Sequence, residues 1–202
     1  MNLPFQIGVT GGIGSGKSLV CQVFRALGIP VYEADSRAKW LTEHDPILKA
    51  DISRVLGSNA YDTLGRYNRG WVASQVFADP ELLKALNGVI HPRVFADTDL
   101  WVSQQVGKPY VIKEAAIMKA AGDGNNLDKV IVVHAPLDLR IERIHKRDPH
   151  RSREEILHII ERQVSDDERL RIADYVVQND EQQLLLPQII RLHEEFLRMQ
   201  SA

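Results

Sequence analysis

Five short apolar runs punctuate the chain, each too brief for a helix that buries one face. Phe5 to Val9 is nearly continuous, as a strand covered on both faces must be. Pro30-Val31-Tyr32-Glu33 gives a second strand and Tyr110-Val111-Ile112 a third. The β-branched Val130-Ile131-Val132-Val133 gives a fourth, and Tyr175-Val176-Val177 a fifth. Between them the spacing turns helical. Val20, Phe24 and Leu27 recur at steps of four and three, and Gly28 stands where a left-handed residue would end that helix. From about Ser36 to Gln105 strand signals fade and amphipathic helical stretches take over. Asp79-Pro80 starts one of these, with Leu82, Leu83 and Leu86 expected inward. Gly122 to Asn126 is a turn, and Asp138 to Arg171 is helical and highly charged. Leu185, Ile189, Leu192, Phe196 and Met199 form the apolar stripe of a last helix. Strands alternating with helices predict parallel βαβ units in a three-layer α/β/α fold.

Composition narrows the class. A chain of 202 residues suits one compact domain, or a core with small insertions. Lys and Arg number 25 against 27 Asp and Glu, a net charge of −2, which argues against a protein that coats nucleic acid. No apolar run has the length of a membrane helix, and the opening residues lack the pattern of a secretory signal, so a cytoplasmic protein is expected. The lone Cys21 cannot form an internal disulfide and is expected as a small packing residue of the first helix. Trp40, Trp71 and Trp101 are expected to pack in the helical region rather than to stack on a ligand.

One segment carries chemistry. Gly11-Gly12-Ile13-Gly14-Ser15-Gly16-Lys17-Ser18 matches G-x-x-x-x-G-K-[ST] in full, between an apolar strand and an amphipathic helix. The chemistry needs these residues. Glycines let backbone N–H groups turn inward around a phosphate, and the helix start adds partial positive charge. Lys17 would reach the β- and γ-phosphates, and Ser18 would offer its hydroxyl to Mg²⁺. The dinucleotide fingerprint G-x-G-x-x-G fails here, since Lys17 stands where its third glycine belongs. Asp62-Thr63-Leu64-Gly65 spells D-x-x-G, but it ends no apolar strand and no Asn-Lys-x-Asp accompanies it, which sets a GTPase aside.

Asp35 follows the second strand, at the sheet edge where ligands of open α/β folds bind. It could accept a proton from an attacking hydroxyl or hold Mg²⁺ through water, or it could cap the helix that starts near Ser36. The third strand runs into Lys113-Glu114 and the fourth into His134, so neither offers the Asp of a typical Walker B motif. Arg140, Arg143, Lys146, Arg147, Arg151 and Arg153 form a basic cluster after the fourth strand. Alone it reads as a solvated face balanced by Asp138, Glu142 and Asp148; beside a phosphate loop it reads as a lid whose arginines close over ATP.

In this order the residues resemble the dephospho-coenzyme A kinase family over nearly the whole length. Gly8 to Ser18, Ala34-Asp35, Arg69, Val76-Phe77, Leu86-Asn87 and His91-Pro92 carry the likeness. Arg143, Arg147-Asp148, Gln163, Ala173-Asp174-Tyr175 and Asn179 continue it. The resemblance implies ATP-dependent phosphorylation of the ribose 3′-hydroxyl of dephospho-coenzyme A, with Mg²⁺. It also implies a P-loop kinase fold: a five-stranded parallel core of residues 1–38, 107–139 and 171–202, a helical coenzyme A domain of 39–106, and a lid of 140–170. Under it Asp35 is the general base, Lys17 and Ser18 contact phosphate and Mg²⁺, and Arg143 and Arg147 belong to the lid. ATP would sit on Gly12, Ile13, Gly14, Ser15, Gly16, Lys17 and Ser18. Asn179 and Gln163 serve either in direct contacts or in loop and hinge structure. Arg69 holds a substrate phosphate or pairs with a nearby acid. His91-Pro92 is a helix-boundary contact or a substrate contact. ATP and dephospho-coenzyme A are the expected partners, with no nucleic acid or membrane, and the chain is expected as a monomer or weak homo-oligomer.

Two departures stand out. Lys119, in Ala115-Ala116-Ile117-Met118-Lys119, replaces a usual acid, with Glu114 nearer the strand end, and Ile159 replaces an arginine often found four residues before Gln163. The alternatives are another small-molecule kinase, such as a nucleoside monophosphate kinase, or a nucleotide-dependent binding switch.

Overall fold

A computed structural model of the chain describes residues 3–200. Its strands are β1 (Phe5–Thr10), β2 (Val31–Glu33), β3 (Tyr110–Glu114), β4 (Lys129–His134) and β5 (Tyr175–Gln178). All pair in parallel, in the order β2-β3-β1-β4-β5. The helices are α1 (Lys17–Ala26), α2 (Ala34–His44), α3 (Pro46–Leu56), α4 (Arg69–Ala78), α5 (Pro80–Ser103), α6 (Leu137–Arg147), α7 (Arg153–Glu161), α8 (Asp166–Arg171) and α9 (Leu185–Gln200). Each apolar run became a strand. β3, β4 and β5 continue past their apolar runs into Lys113-Glu114, His134 and Gln178, because main-chain pairing does not require apolar side chains at the carboxyl edge.

The chain divides into two compact units, residues 1–33 with 105–202, and residues 34–104. The boundary falls at Ala34 because α2 starts directly after β2, with no linker. In the first unit, strand alternation brings Ile7, Val9, Tyr110, Ile112, Ile131, Val133 and Val177 to one face. There they meet Val20, Cys21 and Phe24 of α1 and Ile189, Leu192 and Phe196 of α9. Each such large apolar side chain contributes roughly 1.5–3 kcal/mol on burial. Tyr110 lies edge-on to both Phe24 and Phe196, and its hydroxyl stands 2.6 Å from His193 Nδ1, so its one polar atom is satisfied. Cys21 is 1% exposed, and burial pushes its thiol up to about 12, as befits packing rather than chemistry. Gly28, at φ 82°, follows α1 as expected.

The second unit has its own core of Leu41, Leu48, Ile52, Ala60, Val72, Leu86, Val94 and Val102. Asp45 and Asp79 start α3 and α5 by accepting the N–H of Leu48 and Leu82. Three expectations fail by position on a helix. On α5 the inward stripe follows Leu82, Leu86, Val94, Thr98 and Val102, which carries Leu83 about 100° away to 41% exposure. Trp40 neighbours the buried Leu41 and is turned outward, 45% exposed, stacked on His44 at 4.7 Å with the Arg37 guanidinium 4.1 Å from its ring. Met199, in the last turn of α9, lies outside the core cluster at 40% exposure. Among the described residues no helix is long and apolar enough to cross a membrane.

Candidate phosphate-binding site

The loop after β1 runs along the carboxyl edge of the sheet and into α1. Gly16 takes φ 95°, a left-handed conformation, and a Cβ there would strike the Asn179 amide. As the residue before α1 it supplies no side-chain cap, and the first turn of α1 contains no acid. The partial positive charge of this helix start, met by neither a side-chain cap nor an acid, is therefore available to an anion. Ser15 Oγ is buried without a partner, a donor suited to a phosphate oxygen. The Asn179 side chain donates to the Ser15 carbonyl at 2.8 Å, which ties the turn after β5 to the loop.

Lys17 reaches back across the loop. Its ammonium donates to the Gly11 carbonyl at 2.9 Å and stands 3.9 Å from Glu114 Oε1, with both side chains largely buried. Glu114 ends β3, in register with Val9 of β1. An acid thus does stand at the Walker B place, as Glu rather than Asp. The sequence could not give it that weight, because it does not reveal that β3 is the neighbour of β1. Ser18 is exposed in the first turn of α1. Among the described residues no group of three His, Cys, Asp or Glu side chains could cage a metal. Mg²⁺ binds through phosphates, water and one or two protein oxygens, and the Ser18 hydroxyl and the Glu114 carboxylate are oxygens of that kind.

Beneath the loop lies a cluster two of whose members the sequence named only apart, Arg140 in the basic run and Gln163 as a contact or hinge residue. Arg140 of α6 is 2% exposed. Its Nε donates to the Ile13 carbonyl at 2.9 Å, and Nη1 contacts both Asp166 oxygens at 3.0 and 2.8 Å. The Ile13 N–H donates to Gln163 Oε1 at 2.9 Å. Arg169, 4% exposed, donates to Asp166 at 2.9 Å and to Gln163 at 3.3 Å. Burial holds the Arg169 guanidinium below its ordinary pKa, against the pull of Asp166. Two buried cations share one carboxylate, although removing each from water costs several kcal/mol. Arg140 is therefore no part of a solvated basic face. No short motif announces it, since Ile13 lies far off in the chain and only the fold makes them meet.

The other arginines differ. Arg143 donates to Glu181 at 3.0 Å and lies 3.4 Å from Asn179 Oδ1 and 3.5 Å from the Gly14 carbonyl, beside the loop. Arg147, one turn further, is exposed and pairs with Asp148 at 3.0 Å. Of the expected nucleotide residues, Gly12 to Ser18, Asn179 and Arg143 come together; Arg147 does not join them.

Asp35, Arg69 and His91 belong to the second unit. Asp35 sits inside the first turn of α2, not ahead of it, so it is not the helix cap. Its carboxylate is exposed. Arg69 opens α4, 3.6 Å from Glu43 and more than half exposed. His91-Pro92 lies in the middle of α5, so the helix-boundary reading is wrong: the helix continues through Pro92, at the loss of one main-chain bond. His91 is exposed, 6.4 Å from Phe95, and lines an open groove of about 500 Å³ with Lys84, Asn87 and Gly88.

Comparison with known proteins gives a consistent result. The family model for dephospho-CoA kinase matches residues 5–184. The dephospho-CoA kinase of Porphyromonas gingivalis is 38% identical over 188 residues, covering 93% of this chain and 92% of its own. A crystal structure of a Thermus thermophilus protein superposes with a TM-score of 0.81 at 32% identity, covering 98% of both chains. The dephospho-CoA kinase of Campylobacter jejuni superposes at 0.69 and 24% identity, over 96% of this chain and 98% of its own, which speaks for the fold.

Proposed function

Because the chain belongs to the dephospho-coenzyme A kinase family, we infer that it transfers the γ-phosphoryl group of ATP to the ribose 3′-hydroxyl of dephospho-coenzyme A. The products are coenzyme A and ADP, and the step is the last of coenzyme A synthesis. The observation that carries the donor half is the uncapped start of α1 beneath a glycine loop, with Lys17 and the unpartnered Ser15 hydroxyl beside it.

In this reading the loop amides and Lys17 hold the β- and γ-phosphates, and Asn179 fixes the loop from behind. The 3′-oxygen forms a bond to the γ-phosphorus as the bond to the β–γ bridging oxygen breaks, and that electron pair leaves on ADP. The hydroxyl proton passes to Asp35, whose exposed carboxylate is free to take it. Arg143, beside the loop, offsets charge on the transferring group, and Arg147 joins it from a lid within 140–170 whose Arg140 end stays fixed under the loop. Ser18 and Glu114 are the groups that would hold Mg²⁺, directly or through water; the ion supplies charge neutralisation at the phosphates. Arg69 and His91, within the helical segment 39–106, bind the acceptor. Catalysis of this kind is positioning and electrostatics more than covalent chemistry.

Measuring ADP release with dephospho-coenzyme A, AMP, CMP and shikimate as acceptors tests the reading. Turnover with dephospho-coenzyme A alone is expected. Faster turnover of AMP or CMP would make the chain a nucleoside monophosphate kinase. Slow hydrolysis indifferent to every acceptor would make it a switch.

A further inference from the structure

Both main-chain polar groups of Ile13 are bound by side chains from distant segments: its carbonyl by the buried Arg140 Nε, its N–H by the half-buried Gln163. Arg140 Nη2, also buried, has no hydrogen-bond partner and packs on Gly12, where a Cβ would overlap the guanidinium. A Cβ on Gly14 would meet the Arg140 main chain, so the loop bears on this residue from a second side. Both Asp166 oxygens accept from Arg140 Nη1, and Arg169 in turn donates to Asp166. A glycine-rich loop has many conformations to lose on ordering. Leaving a cation buried with an unmade bond is worthwhile only where the charge or the geometry is used.

We propose that Arg140 is a positioning residue for ATP binding: held by Asp166, it fixes Ile13 so that the phosphate loop is ordered before the nucleotide arrives. Its role differs from that expected of lid arginines. It does not swing over the γ-phosphate; it stays under the loop, and because Arg140 and Arg169 share the one Asp166 carboxylate, the group keeps a net positive charge that adds to the field at the site. The proposal rests on the loop being the nucleotide site, and the test separates the two.

Arg140→Met, Arg140→Lys and Asp166→Asn are compared with the wild-type chain for direct ATP binding, for KM of both substrates, for melting temperature and for exchange of the Ile13 and Gly14 amides. Arg140→Met is expected to weaken ATP binding and raise its KM about tenfold or more, the equivalent of one charge-assisted hydrogen bond. The KM for the acceptor should not move. The two amides should exchange quickly in the free variant and become protected again when ATP is added. Arg140→Lys keeps the charge without the fork, and should fall between Met and wild type. A folded Arg140→Met that binds ATP like wild type, even with a lowered melting temperature, overturns the proposal and leaves a packing role. If Arg140→Met does not fold, Asp166→Asn decides: ATP-specific weakening supports the proposal, and unchanged ATP binding overturns it. A wild-type chain that binds no ATP would instead refute the nucleotide site.

Discussion

The candidate residues of the phosphate-loop region and those of the helical unit of residues 34–104 treat charge in opposite ways. Around the loop, Arg140, Arg169 and Lys17 are buried or nearly so, and each is tied to a carboxylate or a main-chain carbonyl. In the helical unit, Asp35 and His91 are exposed, and Arg69 meets its acid at the surface. A loop that grips a triphosphate gains from being rigid beforehand, since order established in folding need not be supplied by binding energy. Residues proposed to meet a larger, flexible acceptor gain from being unencumbered. The difference predicts that substitutions near the loop disturb folding and kinetics together, whereas those at Asp35, Arg69 and His91 disturb kinetics alone.

The largest effect that would break this contrast is at Asp35. Asp35→Asn should lower kcat by about 10²–10⁴, the usual worth of a general base, with ATP affinity and melting temperature unchanged. Near-normal turnover would remove Asp35 from the chemistry. Glu114→Gln should have a middling effect: kcat/KM about tenfold lower, with half-maximal rate needing more Mg²⁺. An unmoved Mg²⁺ titration would show that Glu114 serves only to hold Lys17. The smallest is Arg69→Ala, which should raise the KM for dephospho-coenzyme A roughly threefold to tenfold with kcat intact, measured by initial rates. Its exposed pair with Glu43 is worth at most about 1 kcal/mol, so a marked drop in melting temperature would contradict the contrast.

The donor half was legible because its information is local. A strand, a loop pattern and a helix lie consecutively from Phe5 to Ala26, and each of the five strands shows as an apolar run. What the sequence concealed depends on neighbours far along the chain. Glu114 gains its place only because β3 pairs with β1, a fact of strand order. Arg140 resembles its exposed neighbours in composition, and its burial follows from the packing of α6 beneath Ile13. Trp40 and Leu83 were misplaced for a simpler reason: each neighbours the true inward position, and one residue on a helix is about 100°. His91-Pro92 looked like a boundary because proline usually ends helices, yet α5 runs on to Ser103.

The strand order has a consequence during synthesis. β1 occupies the middle of the sheet, but both of its hydrogen-bonded neighbours, β3 and β4, come from beyond residue 109. While the ribosome is still translating the helical stretch, this apolar segment has two bare edges and nothing to pair with, the state most exposed to association with other chains. The intervening helices can take shape first, from contacts close in sequence. The nucleotide cradle, hung on the tip of β1, must be among the last parts of the nascent chain to form.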